Sequence, residues 1–274
     1  MSRTGQMSEN PQRNPQRRRA VVTGGSGGIG SLIVRKLLQA DYEVLVLSRH
    51  APALTDVRLR HISCDLSNGA ETSAVGKAIA GEGTPVDVLI HCAGTITPGM
   101  TESLEESDIQ RQIAVNFTAP VVLTSALLST IRKGGGIVFV NSLAAVYPLA
   151  ESSVYAASKA ALRSFALALT IEARARDIAV SSVFPGAVDT PMLHAEMCGG
   201  GSVLNFVNAP ATPEKVADLV MHALTRKGGE YFYPALDGVF GRWCMVWPRL
   251  LRIVLPLLTR LGRIGAAKYR NRTG

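Results

Sequence analysis

Short apolar runs alternate with longer amphipathic stretches from Ala20 onward. Runs at Ala20–Thr23, Glu43–Leu47, Arg58–Ser63, Val86–His91, Gly136–Asn141, Ala179–Phe184 and Glu230–Tyr233 read as strands. Between them, helical spacing covers Ile29–Ala40, Ala70–Ala80, Ser103–Phe117 running on to Ile131, Val154–Arg176 and Pro213–Arg226. Apolar strands separated by helices predict an α/β fold with a doubly wound parallel sheet, covered by helices on both faces. No internal repeat is visible. The pattern divides the chain into a basic lead-in at 1–19 that is expected to be disordered, one α/β domain over 20–238 and an extension over 239–274. One segment breaks the rhythm. Pro191–Pro210 carries Gly199-Gly200-Gly201 and no clear period, so it is expected to be an irregular loop, either a lid over a binding site or a surface insertion.

Composition narrows the class. At 274 residues, 47% hydrophobic and 18% charged, the chain has ample material for a core. Cys64, Cys92, Cys198 and Cys244 form no CxxC pair and no metal-ligand spacing, so no metal site is expected. Scattered thiols fit a reducing, cytoplasmic compartment. The net charge of +8 is unevenly distributed: +4 falls in the first 19 residues and +8 after Gly238, leaving −4 on the body. A mildly acidic globule with basic ends is a poor nucleic-acid binder. Arg17-Arg18-Arg19 leads into a strand and a glycine turn, with no export-signal apolar region after it.

The run Thr23-Gly24-Gly25-Ser26-Gly27-Gly28-Ile29-Gly30 joins the first strand to the first helix. Glycines there let the backbone turn tightly and approach a pyrophosphate, met by N–H groups at the helix N-terminus. Both Gly25-x-Gly27-x-x-Gly30 and Thr23-Gly24-x-x-x-Gly28-x-Gly30 fit a dinucleotide turn. At the end of the second strand, Ser48-Arg49 replaces the acid that would bind a ribose 2′-hydroxyl. A guanidinium there favours a 2′-phosphate, so NADP(H) is expected ahead of NAD(H).

Tyr155 and Lys159 stand at i and i+4, on one face of the fifth helical stretch. A nearby ammonium stabilises a phenolate and should lower the tyrosine pKa, making the phenol a usable acid or base. Ser142, at a strand end, is placed to share a substrate oxygen with it.

With these residues in view, the chain resembles the short-chain dehydrogenase/reductase family, in its single-domain branch, over about 20–234. The motifs are the Thr23–Gly30 turn, Asp65-Leu66, Ala93-Gly94, Asn116, Ser142, Tyr155/Lys159 and Pro185-Gly186 through Thr190. The resemblance implies a Rossmann fold and an oxidoreductase interconverting a ketone and a secondary alcohol. It implies Tyr155 as the proton-transfer group, Lys159 as its helper and ribose ligand, Ser142 as the carbonyl polariser and Asn116 as support for a water relay. Cofactor contacts are implied for Thr23, Gly24, Ser26, Gly28, Ile29, Gly30, Arg49, Asp65, Leu66, Ala93, Gly94, Pro185, Gly186, Val188 and Thr190. Two departures stand out. His91-Cys92 replaces the usual Asn-Asn and is expected to pack rather than react. The long C-terminal extension weakens both a carrier-protein substrate and a tetramer, although a homo-oligomer stays open. The rival readings are a cofactor-binding scaffold without turnover, and an epimerase or dehydratase for which the chain leaves little room.

Val239–Leu261 is apolar but holds Arg242, Pro248, Arg249, Arg252, Pro256 and Arg260, which argues against a transmembrane helix. On a projection at about 100° per residue, Arg242, Arg249, Arg252, Arg260 and Arg263 share an arc of roughly 80°, opposite Trp243, Trp247, Val254, Leu258 and Leu261. That suits a peripheral helix on an anionic membrane, broken into short pieces by its prolines. Packing on the domain, packing on a partner subunit and walling of the substrate pocket are the alternatives. A hydrophobic, lipid-like substrate is expected from this tail and from the apolar residues of the lid.

Overall fold

The computed structural model describes residues 17–147 and 149–273, so the expectation for the N-terminal lead-in lies, up to residue 16, outside the described residues. Among them, seven strands form one parallel sheet in the order β3-β2-β1-β4-β5-β6-β7. They are β1 (Arg19–Thr23), β2 (Glu43–Ser48), β3 (Leu59–Ser63), β4 (Val86–His91), β5 (Ile131–Val140), β6 (Ala179–Pro185) and β7 (Gly229–Tyr233). Alternate side chains feed opposite cores, as strand period dictates. Val22, Val46 and Ile90 pack against α1 (Gly28–Gln39) and α7 (Pro213–Leu224). Val21, Leu45 and Leu89 pack against α2 (Gly69–Gly81), α4 (Ala119–Leu127) and α5 (Ser153–Ala173). The strand order reverses between β1 and β4, which opens a crevice beyond their C-terminal ends.

The stretch expected as one long helix is continuous over Glu106–Thr130, running from α3 (Glu106–Ile113) through a π-helical turn at Ala114–Thr118 into α4. The strand β5 then begins at Ile131, earlier than its apolar run suggests. Between Ile131 and Ile137 it holds only Arg132, Lys133 and three glycines, and Gly134 at φ +77° bends them. The segment expected to be irregular is mostly ordered. α6 (Pro191–Cys198) starts at a Thr190 cap with proline in its first turn, and Val203–Phe206 forms a 3₁₀ turn. Eight residues with two buried positions are too few to show a helical period.

The tail is not fragmented at each proline either. α8 (Ala235–Val246) is followed by α9 (Pro248–Thr273), which continues through Pro256. Pro256 and Arg252 are both exposed, so the carbonyl four residues earlier that loses its intrahelical donor can turn to water. The C-terminal half of α9 docks on the domain through small residues. A Cβ on Gly262 would lie 2.3 Å from the Val203 carbonyl oxygen, and one on Gly265 only 1.9 Å from that of Phe206. Ala266 and Tyr269 bury against Leu193 and Phe206. The Tyr269 hydroxyl donates to Asp189 Oδ1 at 2.5 Å.

Gly265→Ala should therefore lift α9 from the Val203–Phe206 turn at a cost of about 1–3 kcal/mol. Limited proteolysis should cut the tail of that variant faster. Gly81→Ala places a methyl where nothing lies within 4 Å and should gain up to about 1 kcal/mol in urea unfolding. Unchanged tail protection in Gly265→Ala would contradict the docking described.

Candidate active site

The glycine turn is shaped by contacts that only glycine permits. Gly24 sits at φ +70°, and a Cβ there would lie 2.7 Å from Ala93 Cα. A Cβ on Gly30 would lie 2.1 Å from the Gly24 carbonyl oxygen, so α1 closes directly onto the turn. Ser26, Gly27 and Gly28 are exposed, and the first turn of α1 has neither an acidic residue nor a side-chain cap. Open backbone donors at a helix N-terminus beside a strand switch suit a pyrophosphate. Thr23 lies behind the turn. Its hydroxyl accepts the Cys92 and Ala93 amides at 3.1 and 3.2 Å, tying β1 to β4.

Arg49 is exposed just past the end of β2. The Ser48 hydroxyl donates to the His50 carbonyl at 2.8 Å. Asp65 is turned to its own loop, accepting from Ser67 N and Oγ at 2.9 and 2.8 Å. Those bonds, with Arg49 as a weaker contributor, hold its carboxyl below the usual range. Leu66 is buried beneath them.

On the other side of the crevice, one cavity of about 210 Å³ gathers Tyr155, Lys159, Ser142, Gly94, Ile29, Pro185, Gly186, Val188 and Thr190 from elements far apart in sequence. Lys159 is 3% exposed and donates to the Val140 carbonyl at 3.1 Å, with Nζ 5.8 Å from the Tyr155 ring centre. Burial pulls the Lys159 pKa down to about 8. The expected lowering of Tyr155 is not found in the protein alone. Burial pushes its phenol up to about 12, partly offset by a hydrogen bond with Ser142, while the nearby Glu196 charge raises it further. The phenol is therefore neutral, a form able to donate its proton.

Asn116 falls inside the π-helical turn, a distortion frequent at functional sites. Its side chain clamps the Thr95 backbone at 2.8 and 2.9 Å and donates to Ser158 Oγ at 3.1 Å. This clamp holds the strand β4 exit, with Ala93 and Gly94, beside Lys159. His91 packs as expected, stacked on Phe139 at 5.0 Å with its pKa down to about 3 through burial. Cys92 reaches the cavity wall, but burial pushes its thiol up to about 12.

Several lining residues escaped sequence reasoning. Glu196, on α6, is buried and accepts from Asn205 Nδ2 at 2.7 Å. Asp237, on α8, accepts from Asn208 at 3.0 Å. Both carboxyls are raised by burial. Asn141 Nδ2 and Ser152 Oγ line the same cavity, buried and without a hydrogen-bond partner among the described residues. Leu251 and Leu258 bring α9 into the wall. No motif marks Glu196, Asp237, Leu251 and Leu258; the docking of α6, α8 and α9 brings them to the cavity.

A family model described as short chain dehydrogenase matches residues 18–197. An uncharacterized short-chain type dehydrogenase/reductase of Sinorhizobium fredii is 35% identical over 214 residues, 75% of this chain and 84% of that protein. The 3-ketodihydrosphingosine reductase of Mus musculus is 32% identical over 192 residues, covering 64% of this chain and 58% of that enzyme. A short-chain dehydrogenase structure from Streptomyces avermitilis superposes with a TM-score of 0.71 at 25% identity, covering 88% of this chain and 97% of that one.

The buried ammonium has a stability consequence. Its folded pKa of about 8 lies below the ordinary lysine value of 10.5, so the unfolded chain binds the extra proton between those values. Stability should rise with pH across that window, and the full penalty applies below pH 8. Lys159→Met should unfold at higher urea than wild type at pH 7, with the advantage shrinking toward pH 10.5. An advantage independent of pH would refute the buried charge.

Proposed function

The chain belongs to the short-chain dehydrogenase/reductase family, and on that premise we propose that this oxidoreductase interconverts a ketone and a secondary alcohol on a hydrophobic, lipid-like substrate, using NADP(H). One observation carries the reading: Tyr155, Ser142 and Lys159 meet on one wall of a cavity otherwise walled largely by apolar residues such as Ile96, Leu149, Met192, Leu204 and Leu258. In the reduction, the neutral Tyr155 phenol donates its proton to the carbonyl oxygen, which Ser142 also holds. Lys159 stabilises the phenolate left behind and returns a proton to it. The nicotinamide, when bound, supplies the hydride that reaches the carbonyl carbon. Gly24, Ser26, Gly28, Ile29 and Gly30 would hold the pyrophosphate. Ala93, Gly94, Pro185, Gly186, Val188 and Thr190 would border the nicotinamide end, and Asp65 and Leu66 the adenine. Asn116 acts by positioning the Thr95 backbone.

Two further observations refine the substrate and cofactor. Arg49 stands exposed just past the β2 end, and the nearby Asp65 is occupied by its own loop, which favours a 2′-phosphate. Among the described lining residues, Lys159 is the one Lys or Arg, against Glu196 and Asp237, so a neutral or cationic headgroup fits better than an anionic one. The relative named as a 3-ketodihydrosphingosine reductase supports a long-chain ketone.

NADPH consumption across ketones of increasing chain length tests the substrate class. kcat/KM should climb, by at most about fourfold per buried methylene, and NADPH should outperform NADH. Arg49→Glu should weaken NADPH binding by about tenfold or more while sparing NADH. A flat response to chain length rejects the lipid-like substrate, and equal cofactor affinities reject the NADP(H) assignment.

A further inference from the structure

The helix α9 has three faces. On a projection at about 100° per residue, Leu251, Leu258, Gly262, Ala266 and Tyr269 fall on one side: the first two line the cavity and the others are buried on the domain. A second side carries Ile253, Leu257, Leu261 and Ile264, exposed at 66%, 59%, 43% and 47%. Arg249, Arg252, Arg260 and Arg263 form the third, and none makes an ion pair among the described residues. α8 repeats the theme. Leu236, Val239, Trp243 and Val246 recur at i, i+3, i+7 and i+10 and are all more than half exposed.

Soluble surfaces carry such residues singly. Here they form stripes on two consecutive helices, both of which border the catalytic cavity. Charge indicates what covers them. From Val239 to Gly274 there are eight cations and no acid. A twofold pairing of this surface with a second copy would set arginine against arginine, a repulsive arrangement. An anionic lipid surface meets both features, because acyl chains receive the apolar stripes and headgroup phosphates pair with guanidinium groups. Tryptophan favours that boundary.

We propose that α8 and α9 dock the enzyme on an anionic bilayer, and that α9 thereby sets a wall of the catalytic cavity against the lipid from which the substrate arrives. The docking stands on the surface alone; the delivery of substrate rests on the lipid-like reading above. Helices α3–α4 and α5 are the segments long and apolar enough to span a membrane among the described residues, and both are helices of the sheet's covering layer. Attachment through α8 and α9 is therefore interfacial.

Trp243 and Trp247 are the chain's two tryptophans, exposed at 61% and 52%, so the emission of the unmodified protein reports on this surface. Vesicles of phosphatidylcholine with phosphatidylglycerol should shift that emission to the blue and co-float the protein, and added salt should reverse both. Pure phosphatidylcholine vesicles should do neither. Arg252→Gln with Arg263→Gln should weaken vesicle binding on the order of thirtyfold, while turnover of a short water-soluble ketone stays at the wild-type level. No shift and no flotation overturns the proposal, as does equal binding to neutral vesicles. A dimer in solution that Trp243→Gln with Val246→Gln converts to monomer, without vesicle binding, assigns the surface to a second copy instead. Vesicle binding in a protein that reduces no ketone would leave the docking standing and reject the proposed reaction.

Discussion

A lysine ammonium almost sealed from water constrains the rest of the site. At 3% exposure, with one backbone carbonyl at 3.1 Å, Lys159 is poorly compensated for its lost hydration. The fold accepts this because α5 packs between the β5 end and the Asn116 clamp, leaving the side chain nowhere else to go. The same enclosure keeps Tyr155 neutral. Two groups whose ordinary pKa values nearly coincide are pushed apart, to about 8 and about 12. Such separation by environment suits the proposed proton donor and the group proposed to support it. A cofactor bearing a 2′-phosphate and an apolar substrate are proposed around this pair, and both depend on the crevice that the strand order opens.

Much of the fold was legible because parallel strands buried on both faces leave short apolar runs, and amphipathic helices must separate them. The glycine turn was legible for a similar reason: Gly24 and Gly30 answer backbone contacts that admit no Cβ. What stayed hidden was decided by tertiary contact. Helix α6 buries two residues of eight, too few for a period. Pro256 reads as a breaker, yet water on the exposed side of α9 can serve the carbonyl it strands. Glu196 and Asp237 carry no motif and become cavity residues only through docking. The direction of the Tyr155 shift is not legible from spacing, which places an ammonium one turn away but does not report the dehydration that dominates in the folded chain.

The tail joins surface and site. Tyr269 bonds Asp189, and His194 Nε2 lies 2.9 Å from Asp189 Oδ1 and 3.0 Å from Tyr269 Oη. Thr190, the cap of α6, is next along the chain. The seat of α9 is thus continuous with the segment proposed to border the nicotinamide. Of the roles open from sequence, packing on the domain holds for the far half of α9 and walling of the pocket for the near half. The outward face is left for the proposed lipid contact.

The central claim is that the Tyr155 phenol is the proton donor in a site otherwise built to bind. Single-turnover reduction of a long-chain ketone by Tyr155→Phe, with NADPH affinity measured on the same sample, tests it directly. NADPH affinity should stay near the wild-type level, with the rate reduced by a factor on the order of 10²–10⁴. A rate within a few-fold of wild type would contradict it.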